Sequence, residues 1–264
     1  MNNYKKNSIN EIKKLINDTS DEMIPQLIHK LQVDERKGVK KLVLKRENEI
    51  IKKKNELNRL KILGEKECKL KKMGYKYVGG IDEAGRGPLA GPVVAACVIL
   101  PDDCILPGLN DSKKLSSKVR EQLEEKIKKE AIAWAVGLVN HKEIDRLNIY
   151  QATRLAMLKA VKRMLVKPDY LIIDAMKIDV DLPQEGIIHG DSLCASIAAA
   201  SVIAKTYRDR IMNIMDKFYP KYGFKENKGY GTNQHILALK AYGHAPIHRK
   251  TFLKGNDSST TVKR

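Results

Sequence analysis

The chain has 264 residues, 42% hydrophobic and 31% charged, enough apolar material to bury the core of one large domain or of a medium domain with an appendage. Its formal net charge of +18 points to a polyanionic partner, because Lys and Arg release counterions when they neutralise phosphates; a solubilising surface is the bland alternative. No apolar run reaches the roughly 20 residues of a spanning helix, the start MNNYKKNSINEIKK lacks the apolar stretch of a secretory signal, and Cys68, Cys97, Cys104 and Cys194 form no C-x-x-C pair, so membrane proteins, disulfide scaffolds and zinc sites are set aside in favour of a cytoplasmic protein with reduced thiols.

Residues 1–72 read as a basic helical extension. Ser8 with Glu11 and Thr19 with Glu22 fit the S/T-x-x-E capping box, in which side chains satisfy the first free amides of a helix. Leu27, Ile28 and Leu31, then Val39, Leu42 and Val43, recur at helical spacing, and a charged helix with a thin apolar stripe (Ile50, Ile51, Leu57, Leu60) follows. About 20 basic and 11 acidic residues lie here, half of the chain's excess. Either a solvated helical hairpin or an accessory nucleic-acid grip is consistent with that balance.

From about Tyr75 the texture changes to alternating strands and helices. Tyr77–Glu83, Pro92–Leu100, Ile132–Asn140 and Tyr170–Ala175 read as buried strands, and Gly186–His189 as a short fifth one. Helices are expected from Ser116 to about Glu130, from Lys142 to about Met164, from near Ser192, and from an N-capping Thr232 to about Gly243. Such alternation indicates an α/β domain with a mixed sheet, placed at residues 73–254. The last residues, 255–264, are polar and read as a flexible tail.

Four acidic residues stand apart from the lysine-flanked acids of the helix faces. Asp82 and Glu83 close the first strand, Asp174 closes Tyr-Leu-Ile-Ile-Asp, and Asp191 follows Gly-Ile-Ile-His-Gly just ahead of a helix. A carboxylate at the end of a buried strand is costly unless a cation or hydrogen-bond donors accompany it. Strand ends of α/β sheets are also where sites form. Oxygen-only ligands favour Mg²⁺ or Mn²⁺ over zinc. Taken singly, each acid could be a loop residue or a helix cap, Asp191 most readily.

The turn Gly85-Arg86-Gly87-Pro88-Leu89-Ala90 matches G-x-G-x-x-A, the phosphate turn of dinucleotide-binding folds, but there a helix should follow. Pro92–Leu100 reads as a strand instead, so the context fails, and no P-loop sequence occurs either. What remains is a Gly-rich turn with one Arg, able to approach a sugar–phosphate chain closely.

The run Gly80-Ile81-Asp82-Glu83-Ala84-Gly85-Arg86-Gly87-Pro88-Leu89-Ala90-Gly91-Pro92 resembles the signature of bacterial ribonuclease HII, the type 2 ribonuclease H family. Further elements stand in that family's order: Asn110–Leu115, Leu171–Asp174, Gly190–Ser192, Ile197–Lys205, Arg208-Asp209, Lys228–Thr232 and His248-Arg249. The resemblance spans about residues 75–253. It implies an RNase H-like mixed five-stranded sheet flanked by helices, with extra C-terminal helices. It also implies that Asp82, Glu83, Asp174 and Asp191 bind metal, with two Mg²⁺ or Mn²⁺ ions in the active complex. Gly85, Arg86 and Gly87 would meet the ribose 2′-hydroxyl and its phosphate, Lys113 a phosphate near the cut, and Tyr230 the adjacent sugar. The implied activity is hydrolysis of the RNA strand of RNA–DNA hybrids and cutting 5′ of ribonucleotides embedded in duplex DNA, leaving 5′-phosphate and 3′-hydroxyl ends; for the oligomeric state, which the sequence does not specify, a monomer is the default.

The chemistry of these residue types agrees. Phosphodiester hydrolysis needs a deprotonated water on one side and charge stabilisation on the other, which two ions about 3.5–4 Å apart supply. Sensing a 2′-hydroxyl needs donors or acceptors close to the sugar, and a glycine turn can present them from its backbone. A DNA resolvase or strand-transferase shares the carboxylate logic without needing a ribose sensor, and a non-catalytic binding protein would lack the strand-end acids. Low aromatic content, 5%, argues against a single-strand stacking platform. Among the remaining residues, Asp209 is expected to ion-pair with Arg208 on one helix, His189 to be structural, and His248-Arg249 to be available as a phosphate contact.

Overall fold

The computed structural model describes residues 4–253; the sequence-assigned tail 255–264, and residue 254 at the end of the catalytic span, lie outside them. The chain forms two compact units, divided between Arg59 and Leu60. In the first, a 3₁₀ turn (Tyr4–Lys6) precedes α1 (Ile9–Asp18) and α2 (Ile24–Leu31), and α3 (Lys37–Leu63) begins. The Ser8–Glu11 capping box forms in both directions: the Glu11 amide donates to Ser8 Oγ at 3.3 Å and the Ser8 amide to Glu11 Oε2 at 2.6 Å. The Thr19–Glu22 box does not form. Thr19 instead closes α1, its hydroxyl donating to the Leu15 carbonyl at 2.6 Å, and α2 starts only at Ile24. Ile12, Ile16, Ile24, Leu27, Ile28, Leu31, Val39 and Val43 make this unit's core.

The second unit is built on β1 (Val78–Ala84), β2 (Val93–Ile99), β3 (Ala133–Val139), β4 (Tyr170–Asp174) and β5 (Gln184–Ile187), in the sheet order β3-β2-β1-β4-β5. The β3–β2–β1 ladders are antiparallel, whereas β1–β4 and β4–β5 are parallel. Its helices are α4 (Glu65–Lys72), α5 (Ser117–Glu130), α6 (His141–Leu147), α7 (Ile149–Arg163), α8 (Gly190–Leu193), α9 (Ala195–Phe218), α10 (Phe224–Asn227), α11 (Asn233–Tyr242) and α12 (Lys250–Leu253). This is the expected mixed five-stranded sheet flanked by helices, with C-terminal helices and an N-terminal helical extension.

Strand side chains alternate between faces, and β2 is buried on both. Val93, Ala95, Cys97 and Ile99 pack with Ala152, Ala156, Met157 and Ala160 of α7. Val94, Ala96 and Val98 pack with Ala198, Ala199, Val202 and Ile203 of α9. Small residues bring helix and sheet unusually close: a Cβ on Gly80 would lie 2.3 Å from the Ser196 carbonyl carbon, and one on Gly137 1.9 Å from the Ala156 oxygen. Leu60, Leu63 and Leu70 belong to the clusters of this unit, which is why its compact body starts before the sequence texture changes near residue 72.

Three sequence expectations shift in detail. The helix expected over 142–164 is two, because Asn148 turns the chain at a φ of 67° and caps α7 by accepting from the Gln151 amide at 3.0 Å. The helix expected near Ser192 splits likewise at an extended Cys194 into α8 and α9. The fifth strand is Gln184–Ile187 instead of Gly186–His189; it is an edge strand recruited by backbone pairing with β4, so its apolar run does not mark its limits.

Candidate active site

The parallel pairing of β1 with β4 juxtaposes Ile81 and Ile173, so the next residues, Asp82 and Asp174, leave neighbouring strands side by side. Beyond β5 the chain reverses through a left-handed His189 (φ 57°), and the Gly190 amide donates to Asp174 Oδ1 at 2.8 Å. That bond sets the short α8, with Asp191 in its first turn, against the end of β4. Glu83 follows Asp82 on the opposite face of β1, and its amide donates to Asp82 Oδ1 at 2.7 Å. The four acids nominated from sequence therefore gather at the carboxyl ends of the parallel strands, where α/β sheets place their sites.

Their electrostatics show the cost of that gathering. Burial first, then the neighbouring Glu83 and Asp174 charges, hold the Asp82 carboxyl well above its ordinary value. Burial also raises Glu83, opposed by Arg86, whose Nη1 lies 3.4 Å from Glu83 Oε1. Asp191 is raised by burial and next by the charge of the neighbouring Asp111. Lys113 answers from the other side, its Nζ 3.8 Å from Asp191 Oδ2. Partial burial pulls the Lys113 ammonium down, but Asp191, Asp111, Asp82 and Asp174 together raise it.

Glu83 Oε2 is buried and has no hydrogen-bond partner. A carboxylate oxygen in that state, near the charges of Asp82 and Asp174, has the chemistry of a divalent-cation ligand. Among the described residues no three Asp, Glu, His or Cys side chains stand, in this arrangement, as a group that could hold a metal ion.

The Ser201 hydroxyl of α9 opposes the rise at Asp82, lowering that carboxyl. Ser201 Oγ lies 2.9 Å from Ser112 Oγ, and the Ser112 carbonyl accepts from Arg120 Nη1 at 3.1 Å. Arg120 in turn donates to Asp209 Oδ2 at 3.1 Å, while Lys205 donates to Asp209 Oδ1 at 2.6 Å. This chain ties the loop carrying Lys113 to α9, the helix that also brings Ser201 near Asp82. The expected Asp209–Arg208 pair is not made, since i,i+1 residues diverge around a helix. Sequence reading passed over Asp111, Ser112 and Ser201, although all three stand inside motifs it quoted.

Gly85, Arg86 and Gly87 leave the end of β1 directly after the acids. Gly85 adopts a φ of 95°, and a Cβ there would fall 2.0 Å from Arg208 Nε. The nearest atom to a Cβ on Gly87 would be Tyr230 Cε1, at 3.8 Å, so the exposed tyrosine ring stands over the turn. Arg249 is fully buried and donates to the carbonyls of Gly85 (2.6 Å), Arg86 (2.9 Å) and Gly91 (3.0 Å). Arg208, equally buried, donates to the carbonyls of Pro92 (2.9 Å), Lys228 (3.0 Å) and Ala90 (3.1 Å). His248 and Arg249 are therefore interior supports of the turn and not phosphate contacts. Burial pulls the Arg249 guanidinium down to about 9 and that of Arg208 to about 10.

A family model described as Ribonuclease HII matches residues 79–254, and one described as Ribonuclease HII N-terminal domain matches residues 8–71. The chain is 49% identical over 250 residues to Ribonuclease HII of Enterococcus faecalis, covering 94% of this chain and 96% of that one. It is 48% identical over 248 residues to Ribonuclease HII of Clostridioides difficile, covering 94% and 97%. Its fold is similar to that of ribonuclease H2 from Pyrococcus horikoshii OT3, with a TM-score of 0.58, 27% identity and coverage of 67% and 93%. A chain of the PCNA:RNase HII complex from Archaeoglobus fulgidus is similar at a TM-score of 0.59, with 26% identity and coverage of 71% and 98%.

Proposed function

The chain belongs to the ribonuclease HII family and is a ribonuclease H hydrolase; from that premise we propose that it cuts the RNA strand of RNA–DNA hybrids and the 5′ side of single ribonucleotides embedded in duplex DNA, leaving 5′-phosphate and 3′-hydroxyl ends. Asp82, Glu83, Asp174 and Asp191 are the proposed ligands of Mg²⁺ or Mn²⁺, two ions in the active complex. The observation that carries this reading is the buried, unpartnered Glu83 Oε2 among neighbouring carboxylates, with the Gly85–Gly87 turn leaving the same strand end. When bound there, divalent ions supply positive charge to the scissile phosphate and favour deprotonation of the attacking water.

The chain's own groups divide the remaining work. Arg86 and Lys113, both with exposed side chains, are placed to meet phosphate oxygens beside the acids. The Gly85–Gly87 backbone lies open to a sugar because neither glycine carries a side chain, and its amides and carbonyls can test for a 2′-hydroxyl. Tyr230 offers a ring face over the turn on which the sugar can rest. The acting species is proposed to be a monomer. No helix among the described residues is long and apolar enough to cross a membrane.

The test is cleavage of a duplex containing one ribonucleotide, with Mg²⁺ or Mn²⁺, beside an all-DNA duplex of the same sequence. Cutting confined to the 5′ side of the ribonucleotide, and lost in chelator, is expected; equal cutting of both duplexes sinks the proposal. Tyr230→Ala should lower kcat/KM on the ribonucleotide substrate by about 10- to 100-fold, the value of one lost stacking contact. The Mg²⁺ concentration giving half-maximal rate should stay unchanged, since the ring touches no acid of the site.

A further inference from the structure

Two buried histidines join the backbone of Tyr230 to the segment that holds the glycine turn. His235 of α11 and His248 face each other with their Nε2 atoms 2.9 Å apart. His235 Nδ1 lies 2.9 Å from the Tyr230 carbonyl; His248 Nδ1 accepts from the Ala245 amide at 2.8 Å and also lies 3.1 Å from the Ala245 carbonyl, but the amide always carries its hydrogen and directs it at Nδ1, so that nitrogen is bare.

The two ends of this chain fix every proton in it. A carbonyl can only accept, so His235 Nδ1 carries hydrogen and, in a neutral ring, His235 Nε2 is an acceptor. His248 Nε2 must then donate to it, which leaves His248 Nδ1 bare to accept from Ala245. Reversing the polarity would set two bare acceptors, His235 Nδ1 and the Tyr230 oxygen, against each other. Both rings are therefore neutral in opposite tautomers, Nδ1-H in His235 and Nε2-H in His248. Burial agrees with this, pushing His248 down to about 4 and lowering His235.

The chain is one side of a closed frame. His248 forms a bridge with Ala90, and the next residue, Arg249, holds the carbonyls of Gly85, Arg86 and Gly91 while its amide donates to the Leu89 carbonyl at 2.8 Å. On the other side the Leu89 amide donates to Gly229 at 2.8 Å, next to Tyr230. Tyr222 and Phe224 pack against both imidazoles.

We propose that His235 and His248 act as positioning residues for ribose recognition: their tautomer-locked hydrogen-bond chain sets the spacing between the Tyr230 ring and the Gly85–Gly87 turn. This rests on the reading of Tyr230 and the turn as the ribose sensor. Neither histidine touches substrate or metal; both act through the tyrosine.

Nitrogen NMR of the full-length wild-type protein tests the tautomers without reference to activity. His235 should show a protonated Nδ1 with a bare Nε2, and His248 the reverse; the opposite pattern, or an imidazolium at neutral pH, overturns the proposal. Kinetics on the single-ribonucleotide duplex then test the action. His248→Leu, which cannot donate to His235, should lower kcat about tenfold with little change in KM or in the Mg²⁺ requirement. His248→Gln, whose amide can still donate, should recover most of that loss. In a Tyr230→Ala background His248→Leu should cost no further activity, because both changes remove the same ring placement. Additive losses would refute an action through Tyr230. Should Tyr230→Ala alone leave the rate unchanged, the ribose-sensor reading itself fails, which is a different result from additivity. If His248→Leu does not fold, the wild-type spectra and the Gln variant still decide the matter.

Discussion

Asp82→Asn should lower the rate of ribonucleotide-directed cleavage by about 10³-fold, the effect of losing several kcal/mol of transition-state charge stabilisation, with duplex affinity nearly unchanged. The two outcomes separate because binding draws on a basic surface, whereas Asp82 contributes one of the buried charges proposed to hold the ions. Asparagine keeps the shape and can still accept from the Glu83 amide, so the loss isolates the charge. In chelator the same substitution should raise Tm. Burial and the Glu83 charge hold the Asp82 carboxyl above its ordinary value, so the folded state binds that proton more tightly than the unfolded chain does. The folded state is therefore penalised increasingly as pH rises from the ordinary carboxylate range toward the raised value, and fully above it. The variant's advantage should shrink on acidification toward that ordinary range. Added Mg²⁺ should stabilise the wild type more than Asp82→Asn. Thermal melts of both proteins across pH, with and without Mg²⁺, check this; a variant that is less stable than wild type in chelator would contradict it.

Gly85→Ala should cost about 3–5 kcal/mol of stability and most of the activity. Its φ of 95° lies in the region that L side chains rarely adopt, and the added methyl would meet Arg208 Nε at 2.0 Å and Cδ at 2.4 Å. Arg208 cannot retreat without giving up three buried carbonyls, each costing about 1–3 kcal/mol when left unpaired. Gly87→Ala is the matched control. It needs no positive φ, and its methyl would meet only Tyr230 Cε1, at an ordinary 3.8 Å. Stability should therefore change by no more than about 0.5 kcal/mol, while cleavage falls because the methyl occupies the gap between turn and ring. Denaturant midpoints for both variants, set beside their rates, distinguish a turn that folds from a turn that reads. Equal destabilisation of the two would show that the Arg208 contact does not discriminate between them.

Local signals carried much of the molecule. Runs rich in β-branched and small residues marked β1 to β4; β1 and β2 are apolar nearly throughout because both their faces are buried, whereas β3 alternates buried and half-buried positions. Ser8–Glu11 and Thr232 marked helix starts, since a cap is satisfied within four residues of itself. The breaks at Asn148 and Cys194 were not legible, as helical periodicity continues across both and only a backbone turn separates the halves. The edge strand β5 was displaced for a similar reason: a partner strand, and not its own composition, fixes its limits.

For the site, sequence by itself nominated Asp82, Glu83, Asp174 and Asp191 because a charge at the end of an apolar strand is conspicuous, and the Gly85–Gly87 turn because glycine is. Which face each acid takes, and that Glu83 leaves a buried oxygen unpaired, depends on how β1, β4 and α8 meet. The roles of Arg249, Arg208, His235 and His248 were likewise decided only by tertiary structure. A basic residue near a phosphate site reads as a phosphate contact until its burial is known. Here the guanidiniums face inward, since the carbonyls of a turn without regular secondary structure need donors that its own backbone cannot supply.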